Sequence, residues 1–466
     1  MKKLIITAAL LWTLSANAAN WYVNASASGA RNGQNWNNAW ANPSQIAWTS
    51  INPGDTIWIA GGSYGGFPWG KSGTATSRIT MRRATGNNPE CTSAAGWSSA
   101  LDSQATISFG DCNGCTGIYM APPTSDYVTI DGQIPNGIKI VLPAPTVDYN
   151  SQTTYQVTGI KATGNGEVFQ YLEIAGSGLP QCAYGIMAGD NYHYGWKSGL
   201  SINHCYIHDV STALIIGDTD SMTVEQCELA STPGNTYNHN NITYVFSGNY
   251  GVYRYNYIHD FPVMGLYFCA QYPPGPNHWK IYGNIFLNTA AGGTIGQGQA
   301  MTFDPSGATP FQYGNDFQIY NNTVAQARNG LRTDGRWPAL FPVTVAGGSC
   351  YNNIFWGVNF WPGAMSHDYN FTDATSVMGE THGIASGSNP FVNLSGANLH
   401  IVSTTGARYP RNLGFGLSSE FATDRDGDPR GADGAWDIGA YEYGVGQQVV
   451  NQVPAPPTNL RILSVQ

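Results

Sequence analysis

A six-residue phrase recurs along this chain with one residue class in each slot. It reads HCYIHD (His204–Asp209), QCELAS (Gln226–Ser231), YNYIHD (Tyr255–Asp260), YGNIFL (Tyr282–Leu287), YNNTVA (Tyr320–Ala325) and YNNIFW (Tyr351–Trp356). The fourth slots, Ile207, Leu229, Ile258, Ile285, Thr323 and Ile354, are spaced by 22, 29, 27, 38 and 31 residues. An earlier copy, YLEIAG (Tyr171–Gly176), puts Ile174 33 residues before Ile207. Repeats of this length mean a solenoid, propeller or array, because one unit cannot bury its apolar face alone. The uneven step chooses among them. Helical repeats and propeller blades hold their period, whereas a coil of short strands tolerates insertions in its loops. The pattern predicts an all-β solenoid, a parallel β-helix, with Ile207, Leu229, Ile258, Ile285 and Ile354 stacked in one buried column.

Charged residues make up only 11% of the chain, and Gly supplies 57 of 466 positions, which suits tight turns between short strands. Amphipathic helices are nearly absent. The best candidate is Pro43–Ile51, with Asn42 as a cap, Pro43 at the first position and Ile46, Ala47 and Ile51 as an apolar stripe. An open solenoid end needs covering, so this segment is expected to be an N-terminal helical cap.

Residues 1–18 have the make-up of a bacterial-type secretory signal: Lys2 and Lys3, an apolar stretch Leu4–Leu14, and a small-residue cleavage site at Ala16–Ala18. The apolar run is shorter than the ~20 residues of a membrane span, and no later segment is long and apolar enough. The chain is therefore expected to be secreted, extracellular or periplasmic. Without Lys2 and Lys3 it carries 18 basic and 29 acidic residues, a balance of −11. That argues against nucleic acid as a partner. A polyanionic substrate would need a local basic patch or a cation.

Eight cysteines in an exported chain suggest disulfides rather than zinc. Cys112 and Cys115 share a Gly/Asn turn (DCNGC) with Cys91 nearby. Cys205 and Cys227 occupy the same repeat slot, so they should stack ~4.8 Å apart on adjacent coils, as a bridge or as two buried thiols.

The organisation read from the chain is a signal at 1–18, then a β-helix at 19–445. The β-helix divides into irregular coils at 19–165, regular coils at 166–360, and late coils with a terminal seal at 361–445. Residues 446–466 are a linker whose end, PAPPTNLRILSVQ, resembles the opening strand of a fibronectin-type module and is a candidate for docking on a partner or cell surface. The opening WYVNASASGARNGQNW…INPGDTIWIAGGSY, the YIHD/NNIF phrases and the closing DxDGxPR…DIGAYE together resemble right-handed parallel β-helix proteins of the pectate-lyase-like superfamily. That resemblance implies an exported carbohydrate-active protein. It does not name the reaction, since the fold hosts lyases, hydrolases, esterases, epimerases and non-catalytic surface proteins.

Bland readings explain much of the polar inventory. Asn256, Asn321, Asn352, Asn284, Asn322 and Asn353 suit turns. His208 and His259 share a column with Phe286 and Phe355 and are expected to pack, while Arg254 and Glu225 form a structural ion pair. In the closing motif Asp424, Asp426, Asp428 and Asp437 mimic a calcium loop but lack a well-spaced closing Glu. Pairing of Arg430 with these aspartates is the preferred reading, and calcium remains the only cofactor suggested.

Function should sit where the coils lengthen. Four consecutive steps carry insertions. The first (230–250) holds Tyr237 and His239. The second (261–278) holds Tyr272 and His278, and the longest (288–316) holds Asp304. The last holds Arg328, Arg332, Asp334, Arg336 and Trp337. Loops at one coil position would line one groove for a polysaccharide. In β-elimination Arg332 or Arg336 would neutralise a uronate, His239 would take the carbon-bound proton, and Tyr237 would protonate the leaving oxygen. In hydrolysis Asp304 and Asp334 would flank the bond. Arg328, Arg336, Trp337, Tyr272 and His278 would bind the chain of sugars. Clustered arginines in an Arg-poor chain favour the lyase. A glycoside hydrolase, or a non-catalytic glycan-binding or matrix protein, is the alternative.

Overall fold

The computed structural model describes residues 18–121, 123–144, 156–178, 183–189, 195–231, 241–261, 263–269, 276–288, 299–304, 316–326, 337–342, 347–360, 365–373 and 379–444. Strands of two to six residues form three long sheets of 12, 12 and 10 strands, and every pairing inside them is parallel. Each coil visits the sheets in turn. Ser201–Asn203 lies in the first sheet, Tyr206–Val210 in the second and Thr212–Ile216 in the third, and Thr223–Glu225 then returns to the first. This is a parallel β-helix.

The corner between first and second sheets shows why the phrase recurs. One residue there takes the left-handed conformation in seven consecutive coils: Tyr171 (φ 58°), His204 (52°), Gln226 (54°), Tyr255 (58°), Gly283 (64°), Asn321 (49°) and Asn352 (58°). Such angles are unfavourable for side chains other than Gly and Asn, so something must hold them. The following residue does. Asn256 donates Nδ2 to the Val224 carbonyl at 2.9 Å and to Asn284 Oδ1 at 3.0 Å. Asn284 repeats this with Tyr253 and Asn322, Asn322 with Ile281 and Asn353, and Asn353 with Ile319 and Asn370. These amides are fully buried or nearly so, and each Oδ1 also accepts a backbone N–H from the preceding coil.

Cys205 and Cys227 fill the same position two coils earlier. Both are buried free thiols rather than the bridge that was one of two expectations. Each Sγ sits where an Asn Nδ2 does: Cys227 Sγ lies 3.3 Å from Glu225 O and 3.6 Å from Ile202 O, and its single S–H donates to one of them at a time. The disulfide present joins Cys112 and Cys115, and Cys91 is a free buried thiol.

The expected core column needs a correction of register. The inward column of the second sheet runs Ile174, Ile207, Leu229, Ile258, Phe286, Val324 and Phe355. Ile285, Thr323 and Ile354 instead continue the outward column Glu173, Tyr206, Glu228 and Tyr257. In YNYIHD the left-handed residue is the first of the phrase; in YGNIFL, YNNTVA and YNNIFW it is the second. A one-residue offset moves a strand residue to the other face.

Ile285 and Ile354 are nevertheless buried (3% and 0% exposed), because the closing segment folds back over them. They pack with Leu287, Ala325 and Phe371 against Phe391, Leu399, Ile438 and Tyr441. Along the same corner Asn321 Nδ2 donates to Asp437 O and Gly439 O, Asn352 Nδ2 to Phe415 O, and Tyr255 Oη to Thr423 O. Residues 415–443 thus lie along the flank of the coils.

The N-terminal helical cap is also corrected. Asn42 caps as expected, accepting from Ser44 N, and Pro43 takes the first position, but the turn is 3-10 and stops at Gln45. A second 3-10 turn spans Trp48–Ser50. Ile46 and Ile51 join the main core. The segment is too short, with Thr and Trp in its second half, to propagate an α-helix.

Candidate functional site

Over coils 252–372 the closing segment occupies the outer faces of two of the three sheets. It covers the second sheet through the Ile285/Ile354 cluster. It covers the first through Phe421 and Trp436, packed on Tyr255, Tyr282 and Tyr320. Lys280 is tied to Glu420 at 2.6 Å on that side. The third sheet is left, and its two long edges are where the insertions leave and rejoin the coil.

Two columns cross the third sheet beside its inward one, the first facing outward and the second largely buried. One runs Lys161, Met187, Ile215, Tyr244, Tyr267 and Thr302; the other Thr158, Tyr184, Thr212, Asn241, Met264 and Gln299. Tyr244 stacks near Tyr267 with centroids 4.8 Å apart and near Phe246 at 3.9 Å. Between the columns, Gly185 and Gly265 face inward, since a Cβ there would meet Ile207 and Phe286 of the second sheet. Asn241 is wholly buried, and neither its amide oxygen nor its nitrogen has a hydrogen-bond partner among the described residues. A buried amide left unmatched costs ~1–3 kcal/mol, and such groups in native proteins call for an explanation, a bound polar ligand or water among them.

Most of the residues expected to act lie in the segments along these edges. Tyr237, His239, Tyr272, Arg328, Arg332, Asp334 and Arg336 are outside the described residues. Connectivity nevertheless orders them. Residues 232–240 and 327–336 each join a second-sheet strand to a third-sheet strand, whereas 270–275 and 305–315 join the third sheet to the first. The insertions therefore do not share one corner, as expected from their order. Taken together, the extra residues of the long coils are divided between two corners. Asp304 ends its third-sheet strand opposite Cys269, and Trp337 begins one opposite Val358. His278 stands at the third-to-first corner, with Nδ1 3.3 Å from Asp316 and its ring stacked on Tyr250.

The remaining histidines of the repeat are structural. His208 is held between Asp209 (2.7 Å) and Glu173 (3.3 Å), and His259 between Asp260 (2.8 Å) and Glu228 (3.2 Å). Both ring nitrogens are engaged, so neither imidazole has a face for general-base work. Burial opposes the charge on His259, but Asp260 and Glu228 together outweigh it and raise the pKa to about 9. Burial likewise pushes Glu173 up, yet His208 and Lys139 bring it down to about 2. The glutamates were missed in the sequence; their signal is position, an outward slot one coil before each His. Arg254 and Glu225 form the expected ion pair, Nε to Oε2 at 2.6 Å.

In the closing motif Arg430 is fully buried and pairs with Glu442 at 3.3 Å rather than with an aspartate. Asp424 accepts the N–H groups of Asp426, Asp428 and Glu442. Among the described residues, Asp433, Asp437 and Glu442 form a carboxylate trio with oxygens within 4.8 Å that could hold a cation. Burial, with Asp437 close by, raises Glu442 to about 7, and burial raises Asp437 to about 6. Of the suggested calcium loop, Asp437 belongs to that trio and Asp424, Asp426 and Asp428 do not.

No family model matches this chain, and no curated protein matches it either. Solved structures do. Pectate lyase Pel9A is similar over 92% of this chain and 97% of its own, at 13% identity and a TM-score of 0.55. XylC, in a complex with xylose, is similar over 91% and 98% at 11% identity and a TM-score of 0.50. An alginate lyase from Paenibacillus sp. matches 70% of this chain and 94% of its own at 16% identity, with a TM-score of 0.45. Among the described residues no helix is long and apolar enough to cross a membrane. Three all-parallel sheets, the amide-lined corner and near full-length overlap with a pectate lyase agree: this chain is a parallel β-helix of the pectate-lyase-like fold.

Proposed function

We propose that this protein is an exported carbohydrate-active enzyme, and within that class a polysaccharide lyase that cleaves a uronic-acid-containing polymer across the outer face of its third sheet. The observation that carries the reading is that the closing segment covers the other two faces over the long coils, while insertions rich in Arg, His, Tyr and Asp border this one. A polymer lying there would meet the half-buried ring of Tyr244 on the sheet itself, with Tyr267 buried beside it.

The chemistry follows from the bordering residues. Arg332 or Arg336 pairs with the uronate carboxylate and makes the neighbouring C–H more acidic. His239 removes that proton, the C–O bond to the leaving sugar breaks as a C=C bond forms, and Tyr237 supplies a proton to the departing oxygen. A second reading is hydrolysis by Asp304 and Asp334, the carboxylates of the two last insertions, which must then approach within ~5–10 Å across the scissile bond.

Purified protein on a panel of pectate, alginate and xylan separates the readings. Ultraviolet absorbance from an unsaturated sugar end is expected and identifies elimination. New reducing ends without that absorbance identify hydrolysis. Glycan binding with neither would mean a non-catalytic binding protein and end the enzyme reading.

A further inference from the structure

The corner between third and first sheets carries a second column of left-handed residues: Gly166, Gly199, Ser221 (φ 52°), Tyr250 (59°), His278 (57°) and Asp316 (62°). Just before them runs a polar ladder. Asn165 donates to Asp126 at 3.0 Å, Asn249 to Asp220 at 3.1 Å and Asn277 to Asn249 at 2.9 Å. The ladder fixes the corner, and the left-handed residues stand outside it.

Tyr250 is the anomaly. It is the most exposed large apolar side chain among the described residues, at 59%. A bulky aromatic in the left-handed region is strained by ~1–3 kcal/mol, and a solvent-facing ring gives no packing in return. Its ring lies parallel to that of His278, centroids 4.8 Å apart and planes within 7°. One face is thereby backed. Its counterpart on the preceding coil is Ser221, exposed and short, and the counterpart before that is Gly199, whose added Cβ would have only the Gly166 backbone within reach. The other face of Tyr250 therefore borders a notch. Trp196, 42% exposed, belongs to the coil of Gly199, where Lys197–Ser198 pairs with Thr219–Asp220. Two coils, ~10 Å along the solenoid axis, and three residues along the chain separate the positions of Trp196 and Tyr250.

Two other Tyr–His stacks show what a purely structural pair looks like. Tyr171–His204 and Tyr369–His382 have similar geometry, but both tyrosines are only partly exposed. At Tyr250 the ring is presented rather than packed. Hydrogen-bonding groups are at hand: Asp220 uses Oδ1 for Asn249, and His278 uses Nδ1 for Asp316, leaving Oδ2 and Nε2.

We propose that Tyr250, backed by His278 and open towards the Ser221–Gly199 notch, with the exposed Trp196 two coils further along, is a pyranose-stacking subsite. It holds a sugar of the bound polymer at the third-to-first edge, outside the reacting centre. Apolar C–H faces of a pyranose match an aromatic face, and Asp220 and His278 suit its hydroxyls. The proposal rests on the carbohydrate-binding part of the proposed function but not on the reaction.

Native gel electrophoresis of the full chain through gels containing pectate, alginate or xylan tests it without needing turnover. The parent should be retarded by at least one polymer. Tyr250→Asn tolerates the left-handed backbone and removes the ring, and should weaken the apparent affinity about tenfold, the equivalent of ~1.4 kcal/mol. Trp196→Ala should also weaken it, and Tyr250→Phe should bind like the parent. The thermal midpoint of Tyr250→Asn should be no lower than the parent's, since Asn relieves the backbone strain, which excludes unfolding as the cause. Retardation of Tyr250→Asn equal to the parent overturns the subsite and leaves the proposed function standing. Tyr250-dependent retardation without any cleavage in the turnover panel does the reverse. A parent retarded by none of the three polymers overturns the subsite whether or not cleavage is seen.

Discussion

Asn322 shows how a single side chain holds two coils together. Its Nδ2 donates to Ile281 O at 2.8 Å and to Asn353 Oδ1 at 3.0 Å, and its Oδ1 accepts from Asn284 N and Nδ2 at 3.0 Å, all in a fully buried place. Asn322→Ala would orphan these partners at ~1–3 kcal/mol for each buried group left unmatched. A loss of ~3 kcal/mol or more is expected, read as a lowered thermal midpoint. Cys227→Asn should cost far less, since the thiol already addresses the carbonyls that the amides reach. At the same scale His259 sets a pH dependence. Its pKa rises from 6.5 to about 9 on folding, so its clamp contributes fully below 6.5 and is lost as pH climbs through 9. Glu167, pushed by burial from 4.5 to about 8, and Glu442, pushed to about 7, act in the same sense. Glu173, depressed to about 2, loses its contribution only as pH falls from 4.5 through 2. The thermal midpoint should be highest near pH 4.5, fall gently above it as the two glutamates ionise in the unfolded chain, and decline more steeply from 6.5 towards 9 as His259 joins them. His259→Gln should lower it by the equivalent of ~1–3 kcal/mol at pH 6 and flatten the decline. An unchanged slope in the variant would reject the clamp as its source.

The elements were legible in the sequence to the extent that their chemistry is local. The phrase places the second-sheet strands, because the turn before them needs a small set of side chains, and the DCNGC turn holds a disulfide. Which face each residue takes was not legible. The left-handed position accepts Tyr, His, Gln, Asn or Gly, so the tyrosines of YNYIHD and YGNIFL align by eye while Tyr282 pairs with Arg254, not with Tyr255. The closing segment was hidden for a different reason. It docks by long-range burial, and Ile285 and Ile354 look like core residues whichever face they take. That docking is testable. Ile354→Asp puts a carboxylate against Gly439 and the Phe391/Ile438 cluster, where an unpaired charge is costly, without entering the solenoid core. Proteolysis should then release residues 384–444 as the first cut, with the coils protected. Ile207→Ala, in the inward column, should lower the stability of the coils themselves by ~2–5 kcal/mol.

At the scale of the whole molecule, the solenoid offers three faces and the chain spends two of them on its own C-terminal segment. The site readings were only partly legible because the insertions are polar and aperiodic, and nothing in their order told two corners from one. The reaction is therefore best decided by three substitutions whose effects diverge. Arg332→Ala should lower turnover by ~10²–10³ if it stabilises developing charge in an elimination, with thermal unfolding nearly unchanged, since an isolated loop Arg adds little to stability. His239→Ala should fall similarly and lose the limb of the pH profile that reports its deprotonation. Asp304→Asn separates the mechanisms. It should be mild for elimination, which needs no carboxylate there, and crippling for hydrolysis, in which Asp304 and Asp334 flank the bond. Loss of turnover in Asp304→Asn alone would move the chemistry from the arginine edge to the aspartates, and small, equal effects from all three would leave a protein that binds its polymer and does not cut it.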